Sequence, residues 1–313
     1  MSQAASNPQV LHIGFSKCAS TFLQAFFEDH PEIFLVNQSH YFSPFEFGLF
    51  ARGRDWYQSK FVGAAATQVT LESDEHIVMP LFHPVLKSAA TTLESVEEVA
   101  NRIKATCDTT RIIMVVRSQA ELIASRYSEY LLCGGKLDFG GFVEEQLNCS
   151  VDGVSYFQNF YYEIARRLSE HFGQENVLVL LQEELQRDEK SVIDRLCKFI
   201  GVSQFQPVKR DMASRRVGLS VLGMKIVTQF NKLVVKECKM SFKEAEVRIP
   251  FLLYKVLLRG YRYIDHALPD SIKGSKSSLL TPEIKRRVMQ VFEDDNKKLA
   301  AFLQKDLSKL GYY

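Results

Sequence analysis

Four short apolar runs, at 10–15, 69–71, 111–116 and 177–181, constrain the fold more than any other feature. Each is followed, at once or after a loop, by a helix-like pattern. Runs this short and this apolar suit strands buried on both faces. Their alternation with helices calls for a central parallel sheet flanked by helices. The fold class is therefore α/β. A chain of 313 residues can hold one large domain or two small ones. No internal repeat or low-complexity segment breaks the pattern.

Helix ends are readable between these runs. Leu23, Phe26 and Phe27 make one apolar face of a helix that Pro31 closes. Ser118 and Glu121 have capping-box spacing, which predicts a helix from about 119 to 132. Val192, Leu196, Phe199 and Ile200 share a helical face, and Gly201 suits the position just past its end. Thr281 and Pro282 pair an N-cap with a first-turn proline. Between 211 and 267 the chain reads as helices mixing apolar and basic residues, with no clear strand. A basic amphipathic helix can serve a membrane surface or a partner; the favoured reading is a helical insertion packed on the sheet.

Charge and cysteine usage narrow the function classes. A net charge of +2 gives no bulk electrostatic reason to expect nucleic acid or membrane. The cysteines at 18, 107, 133, 149, 197 and 238 form no CxxC pair and no His/Cys cluster with zinc spacing. They read as reduced thiols. The polar start lacks the apolar core of a signal peptide, and no uninterrupted apolar stretch is long enough to span a bilayer. The expectation is a cytoplasmic protein without an integral membrane segment. Its oligomeric state is not legible.

The first run ends in a small-residue loop, Ser16, Lys17, Cys18, Ala19, Ser20, which opens directly into a helix. Backbone N–H groups at a strand-to-helix turn, together with the helix dipole, favour an anion. Lys17 adds a full positive charge, and Ser20 and Thr21 add hydroxyl donors. Cys18 could be a thiol activated at a helix N-terminus, but the favoured reading is a small filler. A nucleotide-triphosphatase loop would place the lysine directly before Ser/Thr at the helix start, and this order does not fit it.

The order Gly14-Phe15-Ser16-Lys17-Cys18-Ala19-Ser20-Thr21 does resemble the loop that binds the 5′-phosphosulfate of PAPS (3′-phosphoadenosine 5′-phosphosulfate) in sulfotransferases, with serine in place of the usual proline. A second stretch, RIIMVVRSQAELIASRYSEYL, resembles that family's 3′-phosphate site. Its strand-end arginine is Arg117 and its serine, eight residues on, is Ser125. Arginine offers phosphate a planar fork, and the serine adds a donor. HYFSPFEFGLFARGRDWYQSKF, NVLVLLQEELQRDEKSVIDRLCKFIGV and SIKGSKSSLLTPEIKRRVMQVFEDDNKKLAAFL resemble three further family segments. In the last, Lys273, Gly274, Ser275 and Lys276 would close over the nucleotide.

The resemblance covers roughly 8–205 and 270–311. It implies a P-loop-like sulfotransferase fold in a single domain over 1–313, with the helical insertion at 211–267 covering the acceptor side. It implies sulfuryl transfer from PAPS to a hydroxyl or amine of a small-molecule or carbohydrate acceptor. PAP, the 3′,5′-bisphosphate nucleotide, is released, and no metal is needed. Ser16 to Thr21 would hold the phosphosulfate, and Lys17 would stabilise charge in the transition state.

The base departs from the family's familiar patterns. Carbohydrate-modifying members often carry K-E-x-x-Y-F with the glutamate as base; here the stretch is Asn37-Gln38-Ser39-His40-Tyr41-Phe42, and Gln38 accepts no proton. Nor is there a clean K-[TS]-H. Glu75, at the end of the run that starts at 69, is the first candidate. His40 is the second and His76 the third. Aromatic clusters at Tyr41, Phe42, Phe45, Phe47 and Phe50 and at Tyr156, Phe157, Phe160 and Tyr161 suit core more than an acceptor pocket. The rival readings are a P-loop small-molecule or nucleotide kinase and a non-catalytic nucleotide-binding relative.

Overall fold

A computed structural model of the chain describes residues 8–43, 48–75, 77, 92–107, 110–148, 160–205, 218–237, 246–274 and 278–313. Strand β1 is Val10–His12, followed by helix α1, Ser20–Asp29, and strand β2, Ile33–Asn37. A short helix α2, Arg54–Gln58, leads to β3, Val69–Ser73. Then come α3, Thr92–Thr106; β4, Arg111–Val116; α4, Gln119–Leu132; α5, Phe139–Asn148; and α6, Tyr161–Phe172. β5, Val177–Leu181, is followed by α7, Gln182–Arg187, and α8, Glu189–Ile200.

The five strands form one parallel sheet in the order β2-β3-β1-β4-β5. The first apolar run ends as a strand at His12, but its parallel bonding continues. Ile13 and Phe15 donate to Ile113 and Val115 at 3.0 and 2.8 Å, and Val115 donates to Gly14 at 2.7 Å. The C-terminal strand ends align, His12 beside Ser73, Asn37 beside Ser73, and Val116 beside Leu181. Whatever follows each strand therefore meets along one edge.

Two strand readings change. β2 escaped the apolar-run reading because it is a half-buried edge strand directly after a helix. β3 extends past 71 to Ser73, carrying the buried Glu72 into the sheet. A carboxyl group is tolerated there because the hydroxyls of Ser39 and Tyr57 both donate to it. The α4 bounds are as expected, yet the capping box does not form. Ser118 Oγ donates to the Gly311 carbonyl at 2.9 Å instead, and Glu121 turns to Arg117.

Beyond the sheet lie α9, Val221–Val234; a two-stranded antiparallel ribbon of β6, Val235–Glu237, and β7, Glu246–Val247; and α10, Phe251–Ala267. The ribbon corrects the expectation of no strand in 211–267. Leu219, Met224, Val227, Tyr254 and Leu258 form a second core with Ile123, Tyr127 and Phe142, so this region packs on α4 and α5 rather than directly on the sheet. α11, Asp270–Lys273, and α12, Pro282–Leu303, complete the fold. Thr281 caps α12 as its sequence predicts, accepting from the Ile284 N–H at 3.3 Å.

Candidate active site

The loop between β1 and α1 has an unusual backbone. Lys17 and Ala19 are left-handed, with φ of 66° and 60°. Two non-glycine residues in that region within one short loop mark stored strain of a kind concentrated at ligand clamps. Ala19 is the N-cap of α1 and supplies no side-chain cap; the Phe22 N–H turns back to the Ala19 carbonyl at 3.0 Å, which leaves the Ser20 and Thr21 N–H groups for an anion. Ser16 Oγ is buried with no hydrogen-bond partner. Gly14 holds φ +117°, and a Cβ on it would lie 3.1 Å from the Glu75 carbonyl oxygen, so the loop needs glycine to pass the end of β3. A concave set of donors with an orphaned buried hydroxyl fits a multiply charged anion such as the phosphosulfate of PAPS.

Lys17 is half-buried, and its ammonium is paired with Glu129 of α4. Ser125 lies one turn earlier on that helix, so Ser125 and Glu129 share a face. Arg117, at the end of β4, holds Glu121 at 3.2 Å through one Nη and receives the Tyr161 hydroxyl on its carbonyl at 2.8 Å. Its position is buttressed. The Ser118 N–H donates to Glu183 at 2.9 Å, Tyr312 OH donates to the same carboxylate at 3.1 Å, and Gln119 pairs with Asn296. Asp295 caps α6 by accepting from the Tyr162 and Glu163 N–H groups at 3.0 and 3.3 Å. The glutamate and Asp-Asn pairs of the two later segments thus hold the fold around the site.

Cys18 is the small filler that its sequence favoured over an activated thiol. Burial pushes its thiol up to about 12, outweighing the charges of Arg117 and Arg126, which lower it. The same interactions, with Glu75 among them, place the Arg117 and Glu75 charges within electrostatic reach of Cys18 in the loop. Arg126, buried on α4, was not a candidate from sequence. An arginine four residues before a tyrosine on an apolar helix face carries no pattern that marks it.

At the end of β3, Glu75 is buried and its Oε2 has no hydrogen-bond partner. His40 is partly exposed; its N–H donates to Asp74 Oδ2 at 2.9 Å, and its Nδ1 lies 3.3 Å from the same oxygen. That carboxylate raises the His40 pKa, against the lowering effect of burial. Gln38 is exposed and left-handed, with φ 50°. Gly274 packs against Val221 at the start of α9. Ser275, Lys276 and His76 lie outside the described residues, as do Phe45, Phe47, Tyr156 and Phe157. Tyr41, Phe42 and Tyr161 are core residues, and Phe50 and Phe160 pack on the core half-buried. Among the described residues no cluster of His, Cys, Asp or Glu could hold a metal ion.

Glu72 sits behind this edge. Burial first, and the Asp74 charge second, push it up to about 7, while Ser39 and Tyr57 pull it down. An acid with a raised folded pKa favours folding least where it must ionise. Below about 4.5 both states are protonated; between there and about 7 only the unfolded state has released the proton, so stability falls as pH rises. His12, pushed down to about 4 by burial, contributes the opposite slope nearby. Glu72→Gln isolates the first effect. Relative to wild type, the variant should gain up to about 3 kcal/mol in urea-unfolding free energy between pH 5 and pH 8. A constant difference across that range would show that Glu72 is ionised throughout.

A strand-to-helix loop at the C-terminal edge of a parallel sheet, with an arginine closing the next strand, is the layout of an α/β protein of P-loop-like type. Its lysine is not where a kinase needs it. The sulfotransferase domain matches residues 7–216, more than half of the chain, and the chain belongs to the sulfotransferase family. The sulfotransferase from Alicyclobacillus acidocaldarius shares its fold with a TM-score of 0.58 at 18% identity, over 98% of this chain and 99% of that one. A mouse sulfotransferase complexed with PAP aligns at 0.45 and 15% identity, over 93% of this chain and 84% of its own. The sulfotransferase domain of the Synechococcus PCC 7002 olefin synthase aligns at 0.44 and 14%, over 86% of this chain and 98% of its own. No curated protein matches by sequence.

Proposed function

We propose that this sulfotransferase takes PAPS as its donor, binding the 5′-phosphosulfate on residues 16–21 and the 3′-phosphate on Arg117 and Ser125, and transfers the sulfuryl group to a hydroxyl or amine of a small-molecule or carbohydrate acceptor. The observation that carries this is the preformed loop, with left-handed Lys17 and Ala19, an uncapped helix start and the orphaned Ser16 hydroxyl. Bound PAPS supplies an activated sulfuryl group and a phosphate leaving group. Lys17 exchanges Glu129 for that charge and stabilises it as it grows. Glu75 accepts the acceptor's proton through the carboxyl oxygen that has no partner in the fold. A second reading rests on the His40–Asp74 contact, which orients the imidazole and keeps its proton affinity high.

We read 1–313 as one domain, with 211–267 covering the acceptor side; its packing on α4, the helix of Ser125 and Glu129, supports that placement. Lys273, Gly274, Ser275 and Lys276 would close over the nucleotide. Cys18, Cys107, Cys133 and Cys197 are buried and in no disulfide, which favours the cytoplasm as its compartment.

Calorimetric titration with PAP tests the reading. Wild type should bind PAP, and Arg117→Ala should weaken binding by about 2–3 kcal/mol, the scale of a charge-assisted phosphate contact. Affinity for adenosine 5′-monophosphate, which lacks the 3′-phosphate, should hardly change. A mutant that binds PAP as tightly as wild type would remove Arg117 from the site; a wild type that does not bind PAP at all would end the donor assignment.

A further inference from the structure

We propose that α10 is an interfacial helix that seats the protein on an anionic lipid surface. At 100° per residue its 17 positions divide into three sectors. Tyr254, Leu258, Tyr261 and Asp265 face inward, where Tyr254 OH donates to Asn231 at 3.0 Å and Asp265 takes the Ser220 N–H at 2.8 Å. Leu252, Leu253, Val256, Leu257, Tyr263 and Ile264 occupy a contiguous arc that nothing in the described fold covers. Their exposures run from 45% at Leu257 to 75% at Leu252. Lys255, Arg259, Arg262 and His266 fill the third sector, directly beside that arc.

The charge pattern selects the occupant. Asp265 is the only acid in α10 and is buried, and α9, which runs antiparallel to it, has none. Every charge these two helices show to solvent is basic, including Lys225 and Lys232 beside the exposed Ile226 and Leu233. This occurs in a chain whose 39 basic and 37 acidic residues nearly balance. An apolar face flanked by a basic strip, with no acid on either, matches acyl chains beneath anionic headgroups. A second copy seated on the same face would bring basic strip to basic strip with no acid to meet it. The helix lies on the surface rather than crossing it: among the described residues no helix is long and apolar enough to span a membrane.

The test is co-sedimentation of the full chain with vesicles of phosphatidylcholine containing 25% phosphatidylserine, against phosphatidylcholine alone. The wild type should partition onto the anionic vesicles at 50 mM NaCl and be largely released at 500 mM. Arg259→Ala with Arg262→Ala should lower the partition coefficient about 25-fold, about fivefold per charge. Val256→Asp with Ile264→Asp should abolish it. These positions are outside the core, so the melting temperature should hold. No sedimentation of wild type with anionic vesicles overturns the proposal. So does binding that survives both double variants, and so does a light-scattering dimer that the aspartates split.

Discussion

Lys17→Ala lowers kcat by about 10²–10³-fold while weakening PAP binding by less than about tenfold, if the loop works as its geometry indicates. The lysine is the only full positive charge within residues 14–21, and it is engaged by Glu129. Ground-state affinity draws on the backbone N–H groups, the hydroxyls and Arg117, which the substitution leaves in place. What it removes is the group that meets charge appearing only as the sulfuryl group departs. Single-turnover rates and PAP titration on the same preparation separate the two effects. Equal losses in both would make Lys17 a binding residue and nothing more.

Glu75→Gln is the second large effect expected. The substitution keeps shape and burial but removes the proton acceptor beside the Gly14 turn. Turnover should fall by about 10²-fold or more with PAP affinity unchanged, the usual scale of general-base catalysis. His40→Ala should cost less. An active Glu75→Gln enzyme alongside an inactive His40→Ala enzyme would transfer the role to the His40–Asp74 pair, and two fully active variants would place the base elsewhere.

The sheet was legible because buried parallel strands read as unbroken apolar runs: 111–116 and 177–181 coincide with β4 and β5. β2 was hidden by its half-exposed edge position, and the end of β3 by a glutamate that only its Ser39 and Tyr57 partners make tolerable. The loop and Arg117 stood out because a lysine among small residues and an arginine closing an apolar run are local signals. Glu129 and Asp74 act through partners 112 and 34 positions away, Lys17 and His40, and no window on the sequence joins them. The α4 start shows the converse: Ser118 and Glu121 carry a capping-box signal, but the distant Gly311 carbonyl takes the serine and Arg117, four residues back, takes the glutamate.

The pairing of Lys17 with Glu129 has a consequence for which anions can enter. The loop already carries a tethered competitor, and a tethered group acts at high effective concentration. On the proposed site, chloride or free sulfate offers one contact and should be outcompeted, whereas a nucleotide that also reaches Arg117 should not. If the loop holds the donor as proposed, the glutamate sets a threshold that keeps bulk ions out of the cradle. Glu129→Gln should lower that threshold, so that inorganic sulfate, inert toward the wild type at about 10 mM, becomes an inhibitor competitive with PAPS; unchanged sulfate inhibition would show that the loop's shape alone excludes it.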